Sequence, residues 1–273
     1  MLRGIIGNRN ADPVSVADIR SRAPQGRERT EARPREAASL GARWPWDGHP
    51  DDAACNFAVA QLARDLPAGL QVNGRVHAQT CLAAIGAIAG ATAQHALISS
   101  DAAALGQLQT ISTITGGHYF FGDVLNRTLL PVSKADAEGK LWSVAAGGAI
   151  AAGLHPSQLP DPDRLFANIV DTLGGKHEGT PRVPRPHLPQ LPVKQLLVQI
   201  WPIAMMCFVG RFPDEPREFG VASIKFWPAI AAHAASILIR QTRSTVDPRT
   251  SLSIVMESAI YASKLTPRML KTA

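Results

Sequence analysis

The segment TGGHYFFGD, Thr115 to Asp123, holds the densest set of reactive side chains in the sequence. Gly116, Gly117 and Gly122 allow the backbone to turn sharply and to approach a ligand closely. Into that space the segment presents His118, Tyr119, Phe120, Phe121 and Asp123. A histidine near a carboxylate is the minimum for general acid–base work, so His118 and Asp123 are the candidate catalytic pair. Tyr119 and Phe120 would line a ligand pocket, joined by His95 and His233 from apolar helices. The competing reading is a tight interhelical turn plugged by aromatics, with Asp123 only capping the next helix. That reading carries more weight, because no nucleophile or oxyanion hole accompanies the pair in a recognised arrangement.

The remaining histidines do not assemble a metal site by spacing. His77 and His95 share a helix face but stand five turns apart, about 27 Å on a straight helix. A metal would need His95 or His77 to meet His118, His233 or Glu257 from other helices, and no HExxH or HxxxH spacing occurs. The default for such residues is a hydrogen-bonded core histidine, so no metal is assigned and no cofactor is indicated. Phosphate loops, dinucleotide fingerprints and nucleophile elbows are missing; GAIAG and GGAIAAG lack a preceding strand and read as helix-packing glycines. The three cysteines, Cys55, Cys81 and Cys207, are far apart and imply neither a disulfide framework nor a metal site. They fit a reducing compartment. The N-terminus lacks an apolar core of signal-peptide length, so the expected location is cytoplasmic.

The net charge of +6 sits at the ends. Residues 1–43 hold nine Arg against five acids, and residues 240–273 hold six basic residues against two acids. A nucleic-acid groove needs its basic face on the folded core, so nucleic-acid binding is disfavoured. Residues 1–44, rich in Arg and Pro, read as an extended, partly disordered basic arm with a short helix at Ser15–Arg22. Trp44 and Trp46 would dock its end onto the body, since large aromatics are seldom left wet.

Residues 45–273 read as a single all-α domain, a bundle of about eight helices. Its key element is Val76–Ser100, a stretch without one Asp, Glu, Lys or Arg. It is long enough to span a bilayer, but its Ala, Gln, Thr and His content suits a helix buried in protein. Gly86 and Gly90 share a face of it, where closely approaching backbones would offset their helix-breaking cost. Asp51 or Asp52 caps a helix through Leu66 that Pro67 ends; Asp101 caps another through Thr113; Asp123 caps VLNRTLL; and Ser133 or Asp136 opens LWSVAAGGAIAAGL. Asp161-Pro162 and Asp247-Pro248 are the clearest helix starts. Asp214 would cap a short helix after FPDEPREFG begins, and no strand is expected. Residues 174–192 hold a proline-rich connector whose PxxP pairs could serve as an SH3-type ligand, although a plain connector is the commoner use.

These features favour a non-catalytic helical protein that self-associates or binds a protein partner. The alternative is an enzyme or small-molecule binder with its pocket around residues 115–123 and the helix histidines. A second alternative is a polytopic membrane protein using the charge-free windows 76–100, 102–122 and 195–210. The missing aromatic belts weigh against it.

Overall fold

A computed structural model describes residues 44–100, 102–114, 116–212 and 220–266. The arm up to residue 43, with its expected helix at Ser15–Arg22, and the cap Asp214 lie outside them. Among the described residues the order is α1 Asp52–Gly69, α2 Ala78–Ser100, α3 Ala102–Gly106, β1 Gln109–Ser112, β2 His118–Phe121, α4 Asp123–Leu129, α5 Leu141–Ala151, α6 Pro162–Thr172, α7 Val193–Val209, α8 Trp227–Gln241 and α9 Pro248–Lys264. The all-α reading holds: helices make up the bundle, and the one sheet is a two-stranded hairpin. Asp161 and Asp247 cap as their Asp-Pro pairs foretell, accepting the N–H groups of Asp163 and of Arg249 and Thr250.

α2 is the axis of the bundle. Every residue from Gln79 to Gln94 is buried, a run no amphipathic helix could show. It packs against α9 and α8 most extensively, and against α7 and α1. Its lack of charge follows from having protein on all sides. Among the described residues it is the one helix long and apolar enough to cross a membrane.

The closest approach in the fold is between α2 and α9. A Cβ built on Gly86 would fall far inside the contact distance of the Val255 carbonyl oxygen, and one on Gly90 would do the same to the Ala259 carbonyl. The neighbouring α9 positions are small as well, with Ser258 beside Gly86 and Ala259 beside Gly90. Gln94 completes this seam by donating from Nε2 to the carbonyls of Ser263 and Leu265, at 2.6 and 2.7 Å. It thereby satisfies carbonyls that the end of α9 leaves without intrahelical partners.

Four expectations are corrected. The helix foreseen from Asp101 to Thr113 ends at Gly106, and the chain continues as β1, which pairs antiparallel with β2 from Gln109↔Phe121 to Ser112↔His118. The run Thr110-Ile111-Ser112-Thr113-Ile114, β-branched at every position but Ser112, favours the extended form. Gly116, at φ +83°, supplies the left-handed turn that closes the hairpin. Pro67 does not end α1, because a proline in the last turn interrupts little and the helix runs on to Gly69. Asp123 is the first residue of α4 rather than its cap; Gly122 holds the cap position and no side chain bonds there. The long α5 opens at Leu141, after a separate 3-10 turn at Lys134–Asp136.

Trp44 and Trp46 dock as expected. Trp46 is fully buried, donating from Nε1 to Asn56 Oδ1 at 3.0 Å and lying edge-on to Phe226. Asp51 adds a second clasp by accepting the Ser223 backbone N–H at 3.0 Å and the Ser223 hydroxyl. The Ser223 hydroxyl holds the Asp51 carboxyl below the usual range.

Substituting Ala for Gly90 should destabilise the protein by about 2 kcal/mol, because overpacking against a backbone carbonyl outweighs the gain in helix propensity. Gly147, in α5, has open space where its Cβ would stand. The same change there should stabilise by up to about 1 kcal/mol. Urea unfolding midpoints of the two variants check the contrast; equal shifts would disprove the close α2–α9 contact.

Candidate functional site

One face of α9 carries Glu257, Tyr261 and Lys264, four and three residues apart and each at most 1% exposed. Polar groups this deep need partners. The three find them on α6, the 174–192 connector and α4, so the face becomes a polar seam through the core.

Glu257 accepts from Asn168 Nδ2 on α6 at 2.8 Å and from the backbone N–H of Arg182 at 2.6 Å. Arg182 Nη1 in turn donates to Asn168 Oδ1 at 3.1 Å. Burial raises the Glu257 carboxyl above its ordinary range, and these donors offset that only in part. At the next position Tyr261 donates its hydroxyl to Glu178 Oε1 at 2.7 Å, and Tyr119 from β2 donates to the same oxygen. Both tyrosines of the chain thus converge on one carboxylate. Glu178 Oε2 accepts the Gly174 N–H at 3.0 Å. Burial alone would raise Glu178, but the two hydroxyls and the Gly174 amide outweigh it and hold the group ionised. Both phenols are pushed up, first by burial and then by the bond to Glu178. Gly179, at φ +66°, tucks against the Tyr261 ring, where a Cβ would stand 3.0 Å from the nearest ring carbon.

Lys264 ends the seam. Its Nζ donates to Asn126 Oδ1 at 3.3 Å and lies over the rings of Phe121 and Phe166, 4.5 and 5.6 Å from their centroids. Burial lowers its ammonium to about 8, and the Asp123 charge restores only part of the loss.

The sequence-predicted residues are divided between two places. Tyr119 reaches the seam directly, Asp123 reaches it through its charge on Lys264, and Phe120 is half-buried in β2 beside them. His118 is exposed and shares its Nδ1 with Ser112 Oγ at 2.8 Å, so its described partner is a serine and not Asp123. His95 stacks on Trp227, and His233 lies 4.0 and 5.6 Å from the rings of Trp44 and Trp46. His233 belongs to the tryptophan cluster that docks residues 44–52, where burial lowers it to about 4 and keeps it neutral, whereas the Trp227 ring beneath His95 stacks on Phe208. His77 bonds Thr80 through Nδ1, to the hydroxyl and to the backbone N–H, at the start of α2.

Sequence reasoning missed Glu178 and Lys264. Glu178 sits in GGKHEGT, which composition marks only as a connector. Lys264 stands near the chain end, where a lysine is ordinarily solvated. The available signal was ESAIYASK, a run of small and apolar residues interrupted only at positions sharing one face.

Chemically the seam is a holding device. It ties α9 to α6, β2, α4 and the connector. Two surface grooves, about 390 and 620 Å³, are lined in part by the C-terminal half of α8 and share no residue with the polar seam. Among the described residues no three His, Cys, Asp or Glu side chains gather in reach of one metal ion. Cys55, Cys81 and Cys207 are buried and free, with thiols pushed up by burial to about 12, 11 and 12, far from nucleophilic.

Lys264 should make stability depend on pH. Its folded-state value of about 8 lies below 10.5, so between these limits the unfolded chain binds the extra proton and stability rises with pH. The Lys264→Met variant should therefore be more stable than wild type at pH 7, by about 2–3 kcal/mol, with the difference shrinking toward pH 10.5. Urea unfolding of both proteins across that range tests it, and a pH-independent difference would refute it. No family model matches the sequence, and neither the curated proteins nor the solved structures yield a match.

Proposed function

We propose that this chain is a non-catalytic helical protein that works by associating with itself or with a protein partner. The supporting observation is the surface of α5 and α7. α5 contains no charged residue yet leaves Gly147, Ile150 and Ala151 exposed. α7 carries no charge beyond Lys194 and exposes Val198, Gln199 and Pro202. Helix faces this poor in charge suit the centre of a protein interface, where charge is depleted. The buried Glu257, Tyr261 and Lys264, by contrast, are engaged within the chain.

The full chain should show a mass above the monomer in size-exclusion chromatography with light scattering at high micromolar concentration. Ile150→Asp or Val198→Asp should lower that mass while shifting stability by less than about 0.5 kcal/mol, as surface changes do. A wild-type chain that stays monomeric at every concentration, and is indistinguishable from the variants, would sink self-association.

The enzymatic alternative rests on one observation, the buried Lys264 with its ammonium lowered to about 8. A lysine in that state is a nucleophile once a substrate reaches it. Labelling the folded protein with trinitrobenzenesulfonate at pH 8, followed by peptide mapping, decides the point. Lys264 reacting ahead of the exposed lysines would favour the enzyme; reaction only after unfolding would eliminate it.

A further inference from the structure

β1 is an edge strand protected by its shortness alone. Its inner side pairs with β2, whereas no described residue pairs with its outer side. Gln109, Thr110 and Ser112 are exposed, and Ile114, at the hairpin tip, is fully exposed. Natural edges are blunted by shortness, charge, proline or a bulge, because an open row of N–H and C=O groups recruits further strands, and four-residue β1 has only the first of these. Here Ala102 to Gly122 contains no Asp, Glu, Lys, Arg or Pro, and the β1–β2 register runs without a bulge.

The outward-facing groups can be assigned. Thr113 donates its N–H to the Gly117 carbonyl at 2.8 Å. Alternation along an antiparallel ladder then makes Ile111–Tyr119 and Gln109–Phe121 the hydrogen-bonded pairs. Thr110 and Ser112 therefore turn their N–H and C=O groups away from β2.

We propose that β1 is a self-association edge, pairing antiparallel with β1 of a second copy about a two-fold axis through Ile111. This deepens the self-association reading and rests on it. In that register Thr110 pairs with the partner's Ser112, forming four backbone hydrogen bonds across the axis, and the two copies of Ile111 face each other. Ile114 comes opposite the partner's Leu108. Two features favour a second copy over a foreign strand. An uncharged strand pairs with itself without setting like charges opposite one another. The resulting four-stranded sheet is also closed: its outer strands are β2, whose far side already bridges Leu265 through Tyr119. Closure by a two-fold stops growth at the dimer. A strand pair this short buries less than the roughly 1,200 Å² of a tight interface, so the dimer is reversible.

The test follows amide hydrogen exchange of the full chain from low to several hundred micromolar, alongside light scattering. The expected result is a mass that rises toward the dimer while the Thr110 and Ser112 amides slow about tenfold or more. Thr110→Pro removes only an outward N–H, and Ile114→Lys changes only the exposed tip; either should restore the monomer without changing the circular dichroism spectrum. If the dimer survives both variants but is lost in Ile150→Asp, the edge is wrong and the broader reading stands. A monomer throughout overturns both. Protection of the two amides that is independent of concentration would mean that the chain covers its own edge, and would also overturn the proposal.

Discussion

Two glycines allow the backbone of α2 to lie against the carbonyls of α9, and the rest of the bundle is arranged around that contact. Helices normally keep 8–10 Å between axes because side chains separate them. With hydrogen at Gly86 and Gly90 and only Ser258 and Ala259 opposite, the separation collapses and backbone meets backbone. So tight a contact leaves no room for long side chains between the helices, and α8 and α7 are drawn onto the remaining faces of α2. α5 and α6 then pack outside, against α8 and α9.

The polar seam solves the problem that this arrangement creates. The segments beyond the central helices have few long apolar stripes, and the 174–192 connector has almost none. Glu257 fixes the connector at Arg182, Glu178 fixes it again beneath the two tyrosines, and Gln79 and Thr80 of α2 meet it at Pro186, His187 and Gln190. The backbone turns into a 3-10 helix at Arg185–His187, so the proline run is not the continuous polyproline helix that an SH3-type domain reads. Directional hydrogen bonds here do what apolar burial does elsewhere.

Much of this was legible beforehand. A charge-free helix rich in alanine announced α2, glycines four apart announced the close approach, and two Asp-Pro pairs announced α6 and α9. What failed had local causes. The hairpin followed Asp101 and a leucine-containing run that mimicked a helix stripe, and four strand residues are too few for alternation to register. The candidate site was half legible, because Tyr119 and Asp123 do reach the seam while His118 points to Ser112. Its remaining members come from residues up to 138 positions apart, Asn126 and Lys264, and a single sequence holds no record of which helix faces meet.

The α2–α9 contact also sets the order in which the molecule can be assembled. Gln94 and the end of α9 that it caps are separated by 169 residues, so the central helix leaves the ribosome long before its principal partner is synthesised. For that interval the glycine face of this uncharged helix lacks the partner that covers it, and contacts of such separation form slowly because loop closure precedes their reward. Synthesis rate and chaperone supply are therefore parameters of this fold, and a chain cut before α9 would leave the glycine face of its central helix uncovered.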